Sequence, residues 1–358
     1  MKINKVKGRY IIARKQNLKY LLTKELSEMY AEGKGQSKKY YIDITNSVRE
    51  QMKRDGATYK ESLRYNAAEN LIFSESTFQN YKKHVAYFCD YVAEQTGNKK
   101  MDIEECKKYI QSYVKYLEEE KEWSAFSINL SLSAVVKATH EKLVDYEHPR
   151  RELKDIKRSS EHAKNDEINE RLCAKELEAA RVLGLRRSQL ERLRVEDIRE
   201  ITVGDKTFME ASIKGKGGKM NVQTYYSLED IEAVRNLIKD KKSHEYVLDK
   251  KNFRDCDFHS CRADHAKSMY EYVLNDINTR ENAREEWLAE IQRLYERDGK
   301  HFQREKFEGK FFARGEHKKF LEEKGFETSL EKIPLAITSL SALSHYRLNV
   351  TAENYIWK

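Results

Sequence analysis

The chain has 358 residues, 39% hydrophobic and 36% charged, with 68 Lys and Arg against 60 Asp and Glu and a formal net charge of +8. Soluble domains are usually about 25% charged, and this hydrophobic content argues against wholesale disorder; the length predicts two or three domains. No apolar run reaches the roughly 18–20 residues of a membrane span, and the N-terminus lacks a signal-peptide pattern, so a soluble, unsecreted, cytoplasmic protein is expected.

Seven bases and no acid fall in residues 1–20: Lys2, Lys5, Lys7, Arg9, Arg14, Lys15 and Lys19. The other 338 residues carry 61 bases against 60 acids. The charge is therefore a local basic arm on a nearly neutral body, suited to nucleic acid or an anionic surface. Five scattered cysteines, Cys89, Cys106, Cys173, Cys256 and Cys261, fit reduced thiols better than a disulfide framework. With only Pro149 and Pro334 to interrupt them, long helices can form, and the expected class is mainly α (α+β).

Residues 1–70 read as an N-terminal extension: the basic arm, then a helix through Leu18, Leu21, Leu22, Leu26 and Met29 ending near Gly33 to Gly35. Residues 74–146 read as a compact helical domain. Ser76 or Thr77 can cap a helix whose Phe78, Tyr81, Val85, Phe88, Tyr91 and Val92 share one face. A second helix runs through Ile103, Tyr109, Ile110, Tyr113, Val114 and Leu117, and a third through Ile128, Leu130, Leu132, Val135, Val136 and Leu143. Residues 147–164 read as a linker in which Arg150, Arg151, Lys154, Lys157, Arg158 and Lys164 outnumber Glu152, Asp155 and Glu161; it is either a solvated tether or a phosphate-following one.

Residues 165–358 read as a mixed domain. Helices end near Leu185 and Asp197; residues 207–213 and 220–226 then have strand composition around the turn Lys214 to Lys219, a β-hairpin signature. Helical patterns return over Leu228 to Lys241, Phe258 to Leu274 and Leu335 to Leu343. The charged stretch 278–330 has Trp287, Leu288, Ile291 and Leu294 on one helical face.

Two familiar chemistries fit poorly. Cys256, His259, Cys261 and His265 lie within ten residues, but on one helix 259 points away from 261 and 265, and no second cysteine pair completes a zinc spacing. The KGKGGK turn lacks the G-x-x-x-x-G-K-[ST] frame of a nucleotide loop.

Read in order, other residues form a more specific set. Leu183-Gly184-Leu185-Arg186-Arg187-Ser188-Gln189-Leu190 joins two helices, Lys216 lies in the hairpin turn, His259 and Arg262 are spaced i, i+3, and Leu343-Ser344-His345 precedes Tyr355 by ten residues. Singly, each has an ordinary reading: a surface arginine, a solvated lysine, a structural ion contact, a packing tyrosine. Together they resemble the tyrosine recombinases, the phage-type integrases and Cre-like or Xer-like enzymes, over residues 74–358.

What the resemblance implies is a helical core DNA-binding domain (74–146) and a catalytic domain (165–358, with 278–330 as an insertion) that clamp double-stranded DNA. Arg186, Lys216, His259, Arg262, His345 and the nucleophile Tyr355 would be its catalytic residues. Tyr355 would attack phosphorus, the two arginines would hold the non-bridging oxygens, Lys216 would protonate the leaving 5′ oxygen, and the histidines would bind phosphate and manage the tyrosine proton. No metal, ATP or other cofactor would be needed. Lys214 and Lys219 join the arm and linker bases as expected DNA contacts. The expected partners are DNA, a homo-tetramer on paired sites and an accessory DNA-bending or excision factor, with no membrane and a nucleoid location. The expected role is integration or excision of a mobile element. A type IB topoisomerase, a telomere-resolvase-like enzyme and a catalytically silent DNA-binding relative are the alternatives.

Three departures stand out. Gln189 occupies the position of an acid, Ser344 that of the glycine in L-G-H, and only Ile356, Trp357 and Lys358 follow Tyr355, which leaves no room for a C-terminal docking helix.

Overall fold

The computed structural model describes residues 3–6, 9–12, 16–150, 166–215 and 220–357. The chain divides into two compact units, Met1–Asp155 and Ile156–Lys358. The fold is mainly α with small antiparallel sheets, as the composition predicts.

The first unit opens with a hairpin, β1 (Ile3–Val6) and β2 (Arg9–Ile12), followed by α1 (Leu18–Glu28), α2 (Lys38–Arg54) and α3 (Tyr59–Ser62). The helices of the expected core domain are α4 (Glu75–Thr96), α5 (Ile103–Cys106), α6 (Ile110–Glu119) and α7 (Ala125–Thr139). Ser74, not Ser76 or Thr77, caps α4, its Oγ accepting from the Thr77 N–H at 3.1 Å; Ser76 and Thr77 already lie in the first turn. The larger correction concerns the boundary at residue 70. Leu18, Leu22 and Leu26 of α1 are buried with Phe88, Ile110, Tyr113 and Leu132 in one core. Three leucines at spacing i, i+4, i+8 form a stripe that gains roughly 1.5–3 kcal/mol per buried side chain, and packing on α4 and α7 buries it.

The second unit begins with α8 (Asp166–Leu183), broken at Cys173 (φ −128°, ψ 23°), and the short α9 (Arg187–Leu190). A three-stranded sheet follows, in order β3 (Ile198–Val203), β4 (Lys206–Lys214), β5 (Met220–Tyr225). Register pairs Ile198 with Ala211 and Met209 with Tyr225. The expected hairpin is β4–β5; β3 is an edge strand not assigned from sequence, because Arg199, Glu200 and Thr202 are exposed and blur its apolar alternation.

Helices α10 (Leu228–Ile238), α11 (Phe258–Thr279) and α12 (Ala283–Arg297) come next, then β6 (Lys310–Phe312), α13 (Gly315–Glu323), β7 (Ser329–Glu331), α14 (Lys332–Ile337) and α15 (Leu348–Thr351). Single π-helical stretches, Thr338–Ala342 and Ala352–Ile356, follow α14 and α15. Segment 278–330 is structural rather than appended: Trp287, Leu288, Ile291 and Leu294 of α12 are buried with Met269, Val273, Ile333 and Ile337. Among the described residues no helix is long and apolar enough to cross a membrane.

Candidate active site

Five of the six expected catalytic residues, Arg186, His259, Arg262, His345 and Tyr355, converge in the second unit from four separate segments. The sixth, Lys216, lies outside the described residues, as do Lys2, Lys7, Arg14, Lys15, Arg151, Lys154, Lys157, Arg158 and Lys219. Lys5 and Arg9 are in the β1–β2 hairpin, while Lys19, Arg150 and Lys214 are exposed.

The α8–α9 junction sets Arg186. Gly184 has φ +58°, and a Cβ there would lie 2.2 Å from Cδ2 of His265, so glycine is required both by backbone conformation and by the buried ring beneath it. Gln189, 1% exposed, folds back so that its Oε1 accepts from the Arg186 N–H at 3.1 Å.

β5 and α11 fasten this junction to the segment bearing His345. Gln223 Nε2 donates to the carbonyls of Leu183 (3.1 Å) and Ala342 (2.7 Å). Tyr225 Oη also donates to Leu183 O, at 3.0 Å. One turn into α11, Arg262 donates to the carbonyl oxygens of Gly184 and Leu343, the latter at 2.9 Å. Ser344 keeps a left-handed backbone (φ +50°) and its Oγ donates to Val222 O at 3.0 Å. The conformation that glycine would adopt without strain is thus retained by serine, with a side-chain bond opposing the cost.

The electrostatics are unusual. Arg262 is 2% exposed, yet among the described residues no carboxylate lies within ion-pair distance of it. Burial and then the like charge of Arg186 pull its pKa down to about 10, opposed by the nearby Tyr355. Its Nε is buried and has no hydrogen-bond partner among the described residues. A buried cation lacking a counter-ion is costly, and such a group invites an anion.

His345 supplies a second orphan donor. Its Nδ1 accepts from the Arg347 N–H at 3.3 Å, which places the proton of the neutral ring on Nε2. That Nε2 is buried and has no hydrogen-bond partner among the described residues. Burial, then the charges of Arg262, Arg347 and Arg186, hold its pKa down to about 4, so the ring is a neutral donor near pH 7.

Tyr355 lies in the π-helical stretch Ala352–Ile356, 8% exposed. Its ring centroid is 6.0 Å from that of the exposed His259. A cavity of about 350 Å³ is lined by Arg186, Arg187, Phe258, His259 and Arg262, with Cys256 and Asp257. The lining offers an oxyanion two guanidiniums and the His259 ring, while His345 and Tyr355 neighbour Arg262 without lining the cavity.

The histidines of the zinc pattern have different surroundings. His265 is buried between Gly184 and the Tyr225 ring, whereas His259 neighbours Tyr355; among the described residues no cluster of three metal-ligating side chains forms. Sequence reasoning missed Gln223 and His265, which support the site through tertiary contacts that no spacing reveals. Comparison with protein-family models, curated proteins and solved structures gives no match.

Proposed function

We propose that this protein is a site-specific DNA recombinase that breaks and rejoins strands through a 3′-phosphotyrosine. The observation that carries the reading is the meeting of Tyr355 with a buried, uncompensated Arg262, Arg186 and the Nε2–H of His345. Surface arginines do not need such burial, and a structural arginine of this depth normally has a carboxylate.

In this reading a backbone phosphodiester enters the cavity and its non-bridging oxygens take the donors of Arg186, Arg262 and His345. Tyr355 Oη attacks phosphorus in line and passes its proton to His259, the imidazole beside it. The P–O bond to the 5′ oxygen breaks, and Lys216 delivers the proton to that oxygen. The phosphotyrosine keeps the bond energy, so a 5′ hydroxyl from another strand reverses the step without ATP. Double-stranded DNA is the substrate, four protomers assemble on two sites with an accessory DNA-bending or excision factor, and movement of a mobile element is the role.

The test uses nicked suicide duplexes cut from DNA flanking the gene. Wild type is expected to give a denaturant-resistant protein–DNA adduct, Tyr355→Phe none, and Arg262→Gln a rate lower by about 100-fold or more, the usual loss of a transition-state donor. Absence of adduct on every duplex the protein binds, or an adduct with Tyr355→Phe, would refute the reading. Relaxation of supercoils without site preference would favour a topoisomerase.

A further inference from the structure

Tyr355 sits between two anchors. On its N-terminal side Thr351 is fully buried, and its Oγ1 pairs with Ser339 Oγ at 2.6 Å. The carbonyl of Ser339 also accepts from the His345 N–H at 2.9 Å, so one residue ties the tyrosine's stretch to the histidine's. On its C-terminal side Trp357 is buried in one cluster with Ala313, Leu321, Leu330 and Leu335. Its ring meets that of His317 edge-on, with centroids 5.1 Å apart, and that of Phe311 at 6.0 Å.

This seat comes mostly from β6 and α13, in the charged stretch that the sequence marks as an insertion. His317 reaches both flanks of the tyrosine: besides meeting Trp357, its Nδ1 lies 3.9 Å from Glu353 Oε1. The residues two before and two after Tyr355 therefore touch one buried imidazole. The seat is in turn fixed to α11. Phe311 of β6 pairs with Leu330 of β7, and the N–H of Glu331 donates to Tyr270 Oη at 3.1 Å. Tyr270 lies on α11 about two turns beyond Arg262, and the stretch Ala352–Ile356 packs on the same helix. Trp357 Nε1 is buried and has no hydrogen-bond partner among the described residues, so ring packing holds the indole in place.

We propose that Trp357, seated by Phe311, His317 and Leu321, is a positioning residue that fixes the Tyr355 ring at the active site, and that β6 and α13 serve the reaction by building this seat. In-line attack tolerates little displacement: a misplacement of roughly 1 Å can cost about 100-fold in rate. A phenol released from the seat would still leave Arg186 and Arg262 able to bind a phosphate. Loss of the seat therefore strikes the chemical step and spares binding. That Tyr355 is a nucleophile rests on the recombinase reading; that the seat holds its ring does not.

The test compares Trp357→Ala, His317→Ala and Trp357→Phe with wild type in the full chain, by adduct formation on the suicide duplexes, DNA affinity and the thermal shift given by vanadate. Trp357→Ala should form adduct about 100-fold more slowly with DNA affinity and vanadate shift unchanged. His317→Ala should be slowed in the same way. Trp357→Phe should recover most of the rate, because the indole N–H makes no hydrogen bond to lose. A fluorotyrosine at position 355 reads the placement without the chemistry. Its fluorine NMR resonance should stand apart from that of the free amino acid, move toward it in Trp357→Ala and return in Trp357→Phe. A wild-type adduct rate in Trp357→Ala, an equal loss of DNA affinity and vanadate shift, or an unmoved fluorine resonance would overturn the proposal. Wild type that gives no adduct on any duplex, with the resonance still moving as expected, would strike the recombinase reading and leave the seat standing.

Discussion

His265 gives the most quantitative handle on the site's architecture. Its ring fills the space that Gly184 leaves open and sits 5.9 Å from the Tyr225 ring. Burial, then the charge of Arg262, hold its pKa down to about 4 against an ordinary 6.5, with the backbone of Arg181 opposing. Between these values the unfolded chain takes up a proton that the folded state refuses. Stability from this group is therefore full above pH 6.5 and is lost as pH falls toward 4. A shift from 6.5 to about 4 corresponds to about 3 kcal/mol in all, of which about 2 kcal/mol is lost by pH 5. Urea unfolding of wild type and His265→Gln at pH 7.5 and pH 5 isolates the effect, because the packing cost of the substitution is common to both. The stability gap between wild type and variant should shrink by about 2 kcal/mol on acidification. A change below about 0.5 kcal/mol would show that the ring titrates normally and is not sealed beneath Gly184. His345 shifts in the same direction, but it is partly exposed and its share is reduced by solvent screening.

Gly184→Ala places a Cβ on that ring at φ +58° and should cost about 2–5 kcal/mol from left-handed strain and overpacking together, read as a lower urea midpoint; an unchanged midpoint would contradict the junction geometry. Inorganic phosphate or vanadate should raise the melting temperature of wild type, with about 2.7 kcal/mol gained at a hundred times Kd, and should leave Arg262→Met unmoved; equal stabilisation of both would place the anion elsewhere. Deleting residues 1–15, which removes Lys2, Lys5, Lys7, Arg9, Arg14 and Lys15 but spares the buried Leu18, should weaken DNA binding and lower the slope of log K against log salt by about 0.9 for each phosphate no longer neutralised. The deleted protein should unfold at the wild-type urea concentration, and an unchanged salt slope would show that the arm does not bind DNA.

What the sequence made legible follows from how local each signal is. The faces of α4, α6 and α7 could be read because each repeats over nearly three turns or more. The same periodicity showed α1 to be amphipathic but not which core its leucines enter, and that choice is tertiary. β3 escaped because the exposed Arg199, Glu200 and Thr202 interrupt its apolar alternation. Arg186 and His345 are 159 positions apart, so no spacing rule could join them; only the order of motifs in a resembling family did. The clamp of Gln223 and Arg262 on the carbonyls of residues 183–184 and 342–343 left no sequence mark. A glutamine in a strand and an arginine in a helix are ordinary until their partners are seen.

That clamp also explains how a guanidinium can be buried beside another cation. A carboxylate would hold Arg262 more firmly, but it would neutralise the charge and compete with any anionic ligand. Carbonyl dipoles satisfy Nη donors at Gly184 and Leu343 without cancelling the net charge. Gln189 follows the same logic: an amide accepts from the Arg186 N–H as a carboxylate would, yet adds no negative charge. The body of the chain is close to neutral overall, but at this site the positive charge is left uncompensated and directed inward. The arm's seven bases are spread over residues 1–20, whereas the charge of Arg262 is buried and acts at short range. In the proposed reading the two serve separate steps, the arm raising the local concentration of DNA and the site engaging one phosphodiester.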